Sequence, residues 1–284
     1  MLPEKSALAV VSLGPRRQHL GMSSVPAVPI LVFSDLDGTL IDHATYSWDA
    51  AKPALEALRA CGGGLIMASS KTGPEIANIR AALGWSHWPA IVENGAGLLP
   101  ANGSGMADST QYSKLRAILD DTPPALRQHF RGFGDMTAAQ VSAVTGLDAA
   151  HASLAKTRAF SEPGLWGGTA EQLDLLLNHL SQHGISAREG GRFLTLSFGQ
   201  TKADRMAELI AEYQPAHTVA LGDAPNDVEM LQTADTGVIV ANPHRKALPA
   251  LKGEETGAII RTALPGPQGW NSAILGLLID LNLK

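Results

Sequence analysis

Ile30-Leu31-Val32-Phe33 is an unbroken apolar run of strand-forming residues that delivers the chain directly into Asp35-Leu36-Asp37-Gly38-Thr39-Leu40. A strand that is apolar at every position, rather than at every second one, is buried on both faces, and that burial requires a parallel sheet covered by helices. The following residues keep that rhythm. The pattern predicts a helix over 50–60 closed by Cys61-Gly62, and a strand over Leu65-Ile66-Met67-Ala68. A helix over 74–83 follows, with Pro74 in its first turn and Gly84 at its end, then a strand at Ala90-Ile91-Val92. Such alternation implies right-handed crossovers and a doubly wound α/β sheet.

The rhythm breaks at the Gly/Ser/Asn-rich stretch 101–108. Residues 110–182 read as mostly helical, with a stop at Pro123-Pro124 and a turn at Glu162-Pro163-Gly164. Two strand-like runs follow, at 185–188 and 193–198. Alternation resumes at Lys202 with a helix to Tyr213, a strand over 217–221, a short helix over 228–231, strands at 237–240 and 258–260, and a helix near 272–283. The expected organisation is a mobile extension over 1–28, a core formed by 29–100 and 196–284, and an inserted domain over 101–195. Met22 is an alternative start of translation.

The chain has 284 residues, 45% hydrophobic and 17% charged, with a formal net charge of −5, which fits a globular protein and argues against general nucleic-acid binding. A single cysteine, Cys61, excludes an internal disulfide and a thiolate cage and suits a reducing cytoplasm. No apolar run approaches the roughly 18 residues that span a bilayer. A monomer or weak homodimer without membrane or nucleic-acid partners is expected.

Chemistry concentrates at strand ends, where ligands gather in an open parallel sheet. Asp35 and Asp37 lie just past the first strand. Two carboxylates there can share a divalent cation, and one is placed to attack an electrophile, while Gly38 lets the backbone turn away. A calcium loop is the competing reading, but its third acidic position is missing and Tyr46 stands where a closing glutamate is needed.

The hexapeptide resembles the first motif of the haloacid dehalogenase superfamily, and three further motifs of that superfamily occur in order. Ser69-Ser70-Lys71 follows the second strand, Lys202 opens the helix after the insertion, and Gly222-Asp223-Ala224-Pro225-Asn226-Asp227 follows the strand ending at Leu221. The resemblance implies that Asp35 is a nucleophile forming an aspartyl-phosphate and also a metal ligand. It implies that Asp37 protonates the leaving alkoxide, then activates water, and gives its carbonyl to the metal. Ser69 and Lys202 would bind the phosphoryl oxygens, with Asp223 and Asp227 holding the metal and Asn226 in support. A hard cation that keeps waters and is held by few carboxylates points to magnesium. A dehalogenase has no need of Asp37, and a transport ATPase needs membrane spans, so phosphatase chemistry is expected.

An insertion between the second and third motifs is where the α/β lid called a C2 cap enters. Asp42-His43, Thr45-Tyr46-Ser47-Trp48, Ser69-Ser70-Lys71-Thr72, Val92-Glu93-Asn94-Gly95-Ala96, Gly132-Phe133-Gly134-Asp135, Phe160-Ser161-Glu162-Pro163 and Gly191-Arg192-Phe193 together resemble the mannosyl-3-phosphoglycerate phosphatases. That resemblance implies a small glycosylated phosphoglycerate as substrate. Ser70, Lys71, Glu93, Asn94, Glu162 and Asn226 are candidate contacts to it, some of them to sugar hydroxyls. Among the cap arginines Arg131, Arg158, Arg188 and Arg192, the last is the expected clamp on the carboxylate, because a planar guanidinium grips carboxylates in bidentate fashion. Trp48 is expected to pack near the mouth; His43 and His151 receive no role. Cap movement is expected about crossings near 100–105 and 192–197. The alternatives are another C2-capped phosphatase, acting on a sugar phosphate, nucleotide or cofactor phosphate, and a non-catalytic sugar-phosphate sensor.

Overall fold

A computed structural model describes residues 28–105, 108–190 and 192–283; the extension expected over 1–28, except Val28, lies outside them with Met22, as does Gly191. The first half of the core runs β1 (Leu31–Ser34), α1 (Lys52–Ala60), β2 (Gly64–Ala68), α2 (Gly73–Ala82), β3 (Ala90–Val92) and β4 (Gly97–Leu99). The inserted region contains α3 (Thr110–Asp120), α4 (Pro124–Arg127), β5 (Phe130–Gly132), α5 (Ala138–Thr145), α6 (Ala149–Lys156), β6 (Ser161–Trp166), α7 (Ala170–Ser181), β7 (Ser186–Gly190) and β8 (Phe193–Ser197). The chain then completes the core with α8 (Lys202–Tyr213), β9 (Thr218–Gly222), α9 (Val228–Thr233), β10 (Thr236–Ala241), β11 (Ile259–Pro265) and α10 (Gly266–Asp280).

The core strands form one sheet in the order β11-β10-β9-β1-β2-β3-β4, parallel except for the β3–β4 hairpin. β1 is central, with Leu31 opposite Gly64 on one side and Thr218 on the other. Its alternate residues fill two separate cores. Ile30 and Val32 pack with Trp270, Ile274 and Leu278 of α10, while Leu31 and Phe33 pack with Met206 and Leu209 of α8. That two-sided burial is why Leu31, Val32 and Phe33 are all apolar, and the buried Ser34 that ends the strand donates to Asp35 O and accepts from Trp270 Nε1. Strand order reverses between β1 and β9, so their carboxyl ends open a crevice.

The inserted sheet is antiparallel, ordered β5-β6-β8-β7, with Leu115, Leu176 and Leu180 from α3 and α7 packed on it. Here the structure corrects the sequence reading. Glu162-Pro163-Gly164 is part of β6 rather than a turn. The β5 ladder begins only at Gly164, which leaves Pro163 at a strand margin where its missing N–H costs no β5 bond. β8 pairs through Ser197, so the change from inserted sheet to core falls later than position 195, and the second crossing follows Ser197. The last helix begins at Gly266, not near 272, with Pro267 in its first turn. Among the described residues no helix is long and apolar enough to cross a membrane.

Candidate active site

Asp35 is the first residue past β1, and its N–H donates to Leu221 O at 2.9 Å, which ties it to the end of β9. Gly38 then takes φ +82°, and a side chain there would run into Asn242. The turn returns the chain over the sheet and leaves Asp35 beside Asp223 and Asp227, all three buried. One oxygen from each of these carboxylates lies within 4.8 Å of the others.

Lys202, the first residue of α8, brings the counter-charge. Its Nζ donates to Asp35 Oδ1 at 2.8 Å and to Asp227 Oδ1 at 2.7 Å. The second oxygen of Asp227 accepts the N–H groups of Asp223 and Ala224, both at 3.1 Å, so this carboxylate braces the loop as well as the lysine. Asp223 accepts from Thr39 Oγ1 at 3.3 Å and from Asn242 Nδ2 at 2.7 Å, and Arg245 Nε pairs with it at 3.1 Å. Three buried carboxylates facing one ammonium leave an excess of negative charge. Burial pushes the Asp35 carboxyl up to about 7 against the pull of Lys202, with Asp227 and Asp223 adding to the rise. Burial also raises Asp223. For Lys202 burial works the other way, but Asp227 and Asp35 outweigh it and hold the ammonium above its ordinary value.

Asp37 sits on the opposite rim. Lys71 Nζ pairs with its Oδ2 at 2.8 Å, and Asp37 Oδ1 is buried without a hydrogen-bond partner. Between these groups and the inserted sheet lies a cavity of about 440 Å³, a size that suits a small-molecule ligand. Asp35, Asp37, Lys71 and Lys202 line its floor; Phe133, Arg158, Arg188, Phe193 and Thr195 form its roof.

The structure brings Ser70, Lys71, Asn94 and Asn226 to the lining of this cavity, and Asn226 Nδ2 donates to Asn94 Oδ1 at 3.1 Å. Four other candidates are placed off the lining or already engaged. Ser69 is buried and takes the Lys71 N–H at 3.3 Å, so Ser70 is the serine on the lining. Both oxygens of the Glu93 carboxylate are taken by backbone N–H groups of residues 159–161, so it is not free for a sugar hydroxyl. Glu162, fully buried, accepts from Tyr112 Oη and Gly134 N inside the inserted domain, away from the lining. Arg192 lies outside as well, its guanidinium 5.7 Å from the Phe193 ring centre, whereas Arg158 and Arg188 line the cavity. Arg131 is exposed. Trp48 packs against the core cluster that contains Trp270, as anticipated.

Asn242 and Arg245 escaped the sequence reading. Both lie in the loop after β10, and only their place at the carboxyl end of a core strand could have singled them out.

Residues 32–122 and 168–253, more than half of the chain, match the family of haloacid dehalogenase-like hydrolases. This chain is a haloacid dehalogenase-like hydrolase. Residues 123–167, between the two matched segments, lie within the insertion, the C2-type cap of this hydrolase. Over 267 residues the chain is 33% identical to the glucosyl-3-phosphoglycerate/mannosyl-3-phosphoglycerate phosphatase of Methanococcoides burtonii, covering 87% of this chain and 97% of the relative. Among solved structures it resembles a haloacid dehalogenase superfamily phosphatase from Bacteroides thetaiotaomicron, with TM-score 0.61 and 18% identity, covering 97% of this chain and 100% of that one. It also resembles the sucrose-phosphatase of Synechocystis, solved with sucrose and phosphate, with TM-score 0.58 and 17% identity, covering 89% and 98%. At those identities the two structures speak for the fold alone.

Hydrolases of this family use a metal ion, and the residues present fit one. Asp35, Asp223 and Asp227 offer only carboxylate oxygens, the donors preferred by hard divalent cations, in a buried site with surplus negative charge.

Proposed function

We propose that this hydrolase is a magnesium-dependent phosphatase that converts mannosyl-3-phosphoglycerate, glucosyl-3-phosphoglycerate or both into the glycosylglycerate, a compatible solute, and inorganic phosphate. Its family is one of hydrolases and its relative is named a phosphatase, which supports phosphoric monoester hydrolysis. The observation that carries the substrate is the 33% identity to the Methanococcoides enzyme, which runs through core and cap alike.

The side chains divide the work as follows. A freed Asp35 oxygen attacks phosphorus, the bond from phosphorus to the substrate oxygen breaks, and an aspartyl-phosphate forms. Asp37 gives its proton to the departing alkoxide, then takes one from the water that attacks the aspartyl-phosphate and returns Asp35 and free phosphate. Its place on the cavity lining, with one oxygen free of any hydrogen-bond partner, suits that exchange. Lys202 and Ser70 stand ready to neutralise and orient the phosphoryl oxygens, which would otherwise repel an anionic nucleophile. Magnesium would be held by Asp35, Asp223 and Asp227, with the Asp37 carbonyl in support, and would supply further positive charge there. The glycerate carboxylate falls to Arg188, which lines the roof in the position first expected of Arg192.

Phosphate release from both sugar-phosphoglycerates, mannose 6-phosphate and flavin mononucleotide, measured side by side, tests this reading. Preference for one of the first two is expected. Faster turnover of mannose 6-phosphate or flavin mononucleotide would overturn the substrate and leave the reaction intact.

A further inference from the structure

Glu93 joins the two halves of the site in a way that chain connectivity does not require. It follows β3, is 1% exposed, and adopts φ +52°, followed by Asn94 at +59° and Gly95 at +96°. Two non-glycine residues in the left-handed region are costly, and such strain persists only where surrounding contacts hold it. Core and cap both supply such contacts. From the core, Glu93 N donates to Lys71 O and Asn94 N to Ser69 O, both at 2.9 Å, so the strained turn is stitched to the loop that carries Ser70 and Lys71. From the cap, Glu93 Oε1 accepts Ala159 N at 2.9 Å. Its Oε2 accepts Ser161 N at 2.8 Å, Ser161 Oγ at 2.7 Å and Phe160 N at 3.2 Å. Arg158 Nε completes the shell at 3.2 Å from Oε2, and a second nitrogen of that guanidinium donates to Ser70 O at 3.3 Å. A buried carboxylate is tolerable only when paired and hydrogen-bonded to this degree.

Residues 158–160 precede β6 and Ser161 opens it, far in sequence from both places where the chain passes between core and cap. The cap could turn about its crossings without this joint. On the other side of the cavity the described link is of another kind: Arg188 of β7 meets Glu229 of α9 at 3.4 Å, with both side chains about half exposed. Exposed pairs of that sort contribute little. One side of the cap is therefore riveted and the other only latched.

We propose that Glu93 is a positioning residue, the fixed pivot that sets the cap over Asp35 and keeps Arg158 beside Ser70 and Lys71, so that the cap opens by parting Arg188 from Glu229. This rests on the reading of the cavity as the seat of a phosphorylated substrate whose leaving group the cap encloses. A substrate that fills the cap needs the pivot, whereas a small aryl phosphate that barely reaches the cap does not. Glutamine is a poor substitute, because its amide nitrogen would face N–H donors.

The experiment uses the full-length chain with Glu93→Gln and the milder Ser161→Ala. Hydrogen exchange is followed at residues 158–161, together with kcat and KM for the best sugar-phosphoglycerate and for p-nitrophenyl phosphate. For Glu93→Gln, exchange at 159–161 should rise by about tenfold or more. Sugar-phosphoglycerate kcat/KM should fall by about a hundredfold, mostly through KM, with p-nitrophenyl phosphate kept within about threefold. Ser161→Ala should shift each quantity the same way by less, and decides the matter alone if the glutamine variant does not fold. Unchanged exchange, or equal losses on both substrates, would overturn the pivot. If neither sugar-phosphoglycerate is a substrate of the unaltered chain, the substrate reading falls. The pivot is then judged by exchange and by the same comparison with the best cap-filling phosphate.

Discussion

Lys71 Nζ lies 2.8 Å from Asp37 Oδ2. The Tyr46 ring stands 5.6 Å from the same ammonium, at a residue held in the left-handed region (φ +55°). Burial works against the charge on Lys71, yet Asp37, Glu75 and Tyr46 outweigh it and raise its pKa. One oxygen of Asp37 is thus tethered by a persistent cation, and the other is buried without a partner. The ammonium fixes how this carboxyl is presented at the cavity floor.

Replacing Lys71 with methionine keeps much of the packing and removes the tether. Turnover should fall by about 10- to 100-fold with a smaller change in KM, because the lost orientation matters most as the leaving group departs. Steady-state kinetics on the preferred substrate check this; an unchanged kcat would mean that Asp37 needs no holding.

Asp35→Asn removes the attacking oxygen while nearly preserving shape. Activity should fall by at least about a thousandfold. Acid-quenched protein analysed by mass spectrometry should show a phosphoryl adduct at position 35 in the unaltered chain and none in the variant. An adduct elsewhere would reassign the nucleophile.

Metal removal and pH should be linked through Asp35. With its carboxyl near 7 in the metal-free fold, a proton must leave before a cation can take its place. Magnesium affinity is expected to fall about tenfold per pH unit below that value and to level off above it. The stability contribution has the opposite sense. A carboxyl raised from 3.8 to about 7 stabilises the metal-free fold fully below 3.8 and loses that contribution as pH rises through 7. Calorimetric titrations at pH 6 and 8, in two buffers of different ionisation enthalpy, would reveal the released proton. EDTA should abolish turnover.

Arg188→Ala and Arg192→Ala should behave differently. The first removes a guanidinium from the cavity roof and should raise KM by about tenfold, while the second should change KM by less than about twofold. A reversed order would return the carboxylate clamp to Arg192.

Gly95→Ala is expected to harm both stability and catalysis. At φ +96° a Cβ would collide with the backbone of Thr201 and Lys202, at the start of α8. A loss of about 2–4 kcal/mol in thermal or denaturant unfolding is expected, together with reduced turnover because Lys202 is displaced.

The floor of the site was legible because each of its groups follows directly on a buried strand or opens a helix. Asp35 stands out from the strand-end pattern itself, whereas Lys71, Asp223 and Lys202 were singled out by the resemblance of their motifs to the superfamily's. Glu93 and Glu162 misled because an acidic side chain near a motif looks available, and nothing local reveals that Glu93 meets backbone donors 66 residues or more away. The cap strands were hidden for a related reason. Phe130–Gly132 is too short to show a period, and Ser161–Trp166 contains a proline and a glycine that only its pairing pattern accommodates. Arg245 reaches Asp223 across the end of the sheet, a neighbourhood set by strand order and by no motif.

The central place of β1 has a consequence for biosynthesis. Its partner on one side, β2, leaves the ribosome soon after it, but the other partner, β9, emerges only once the whole cap has been made. At translation speeds of about 5–20 residues per second, the nascent half-sheet waits several seconds with the apolar edge of its reactive strand uncovered. A chaperone that shields residues 30–34 during that interval, or a cap that folds early enough to hold the half-sheet apart from its neighbours, would govern how much usable protein a cell obtains.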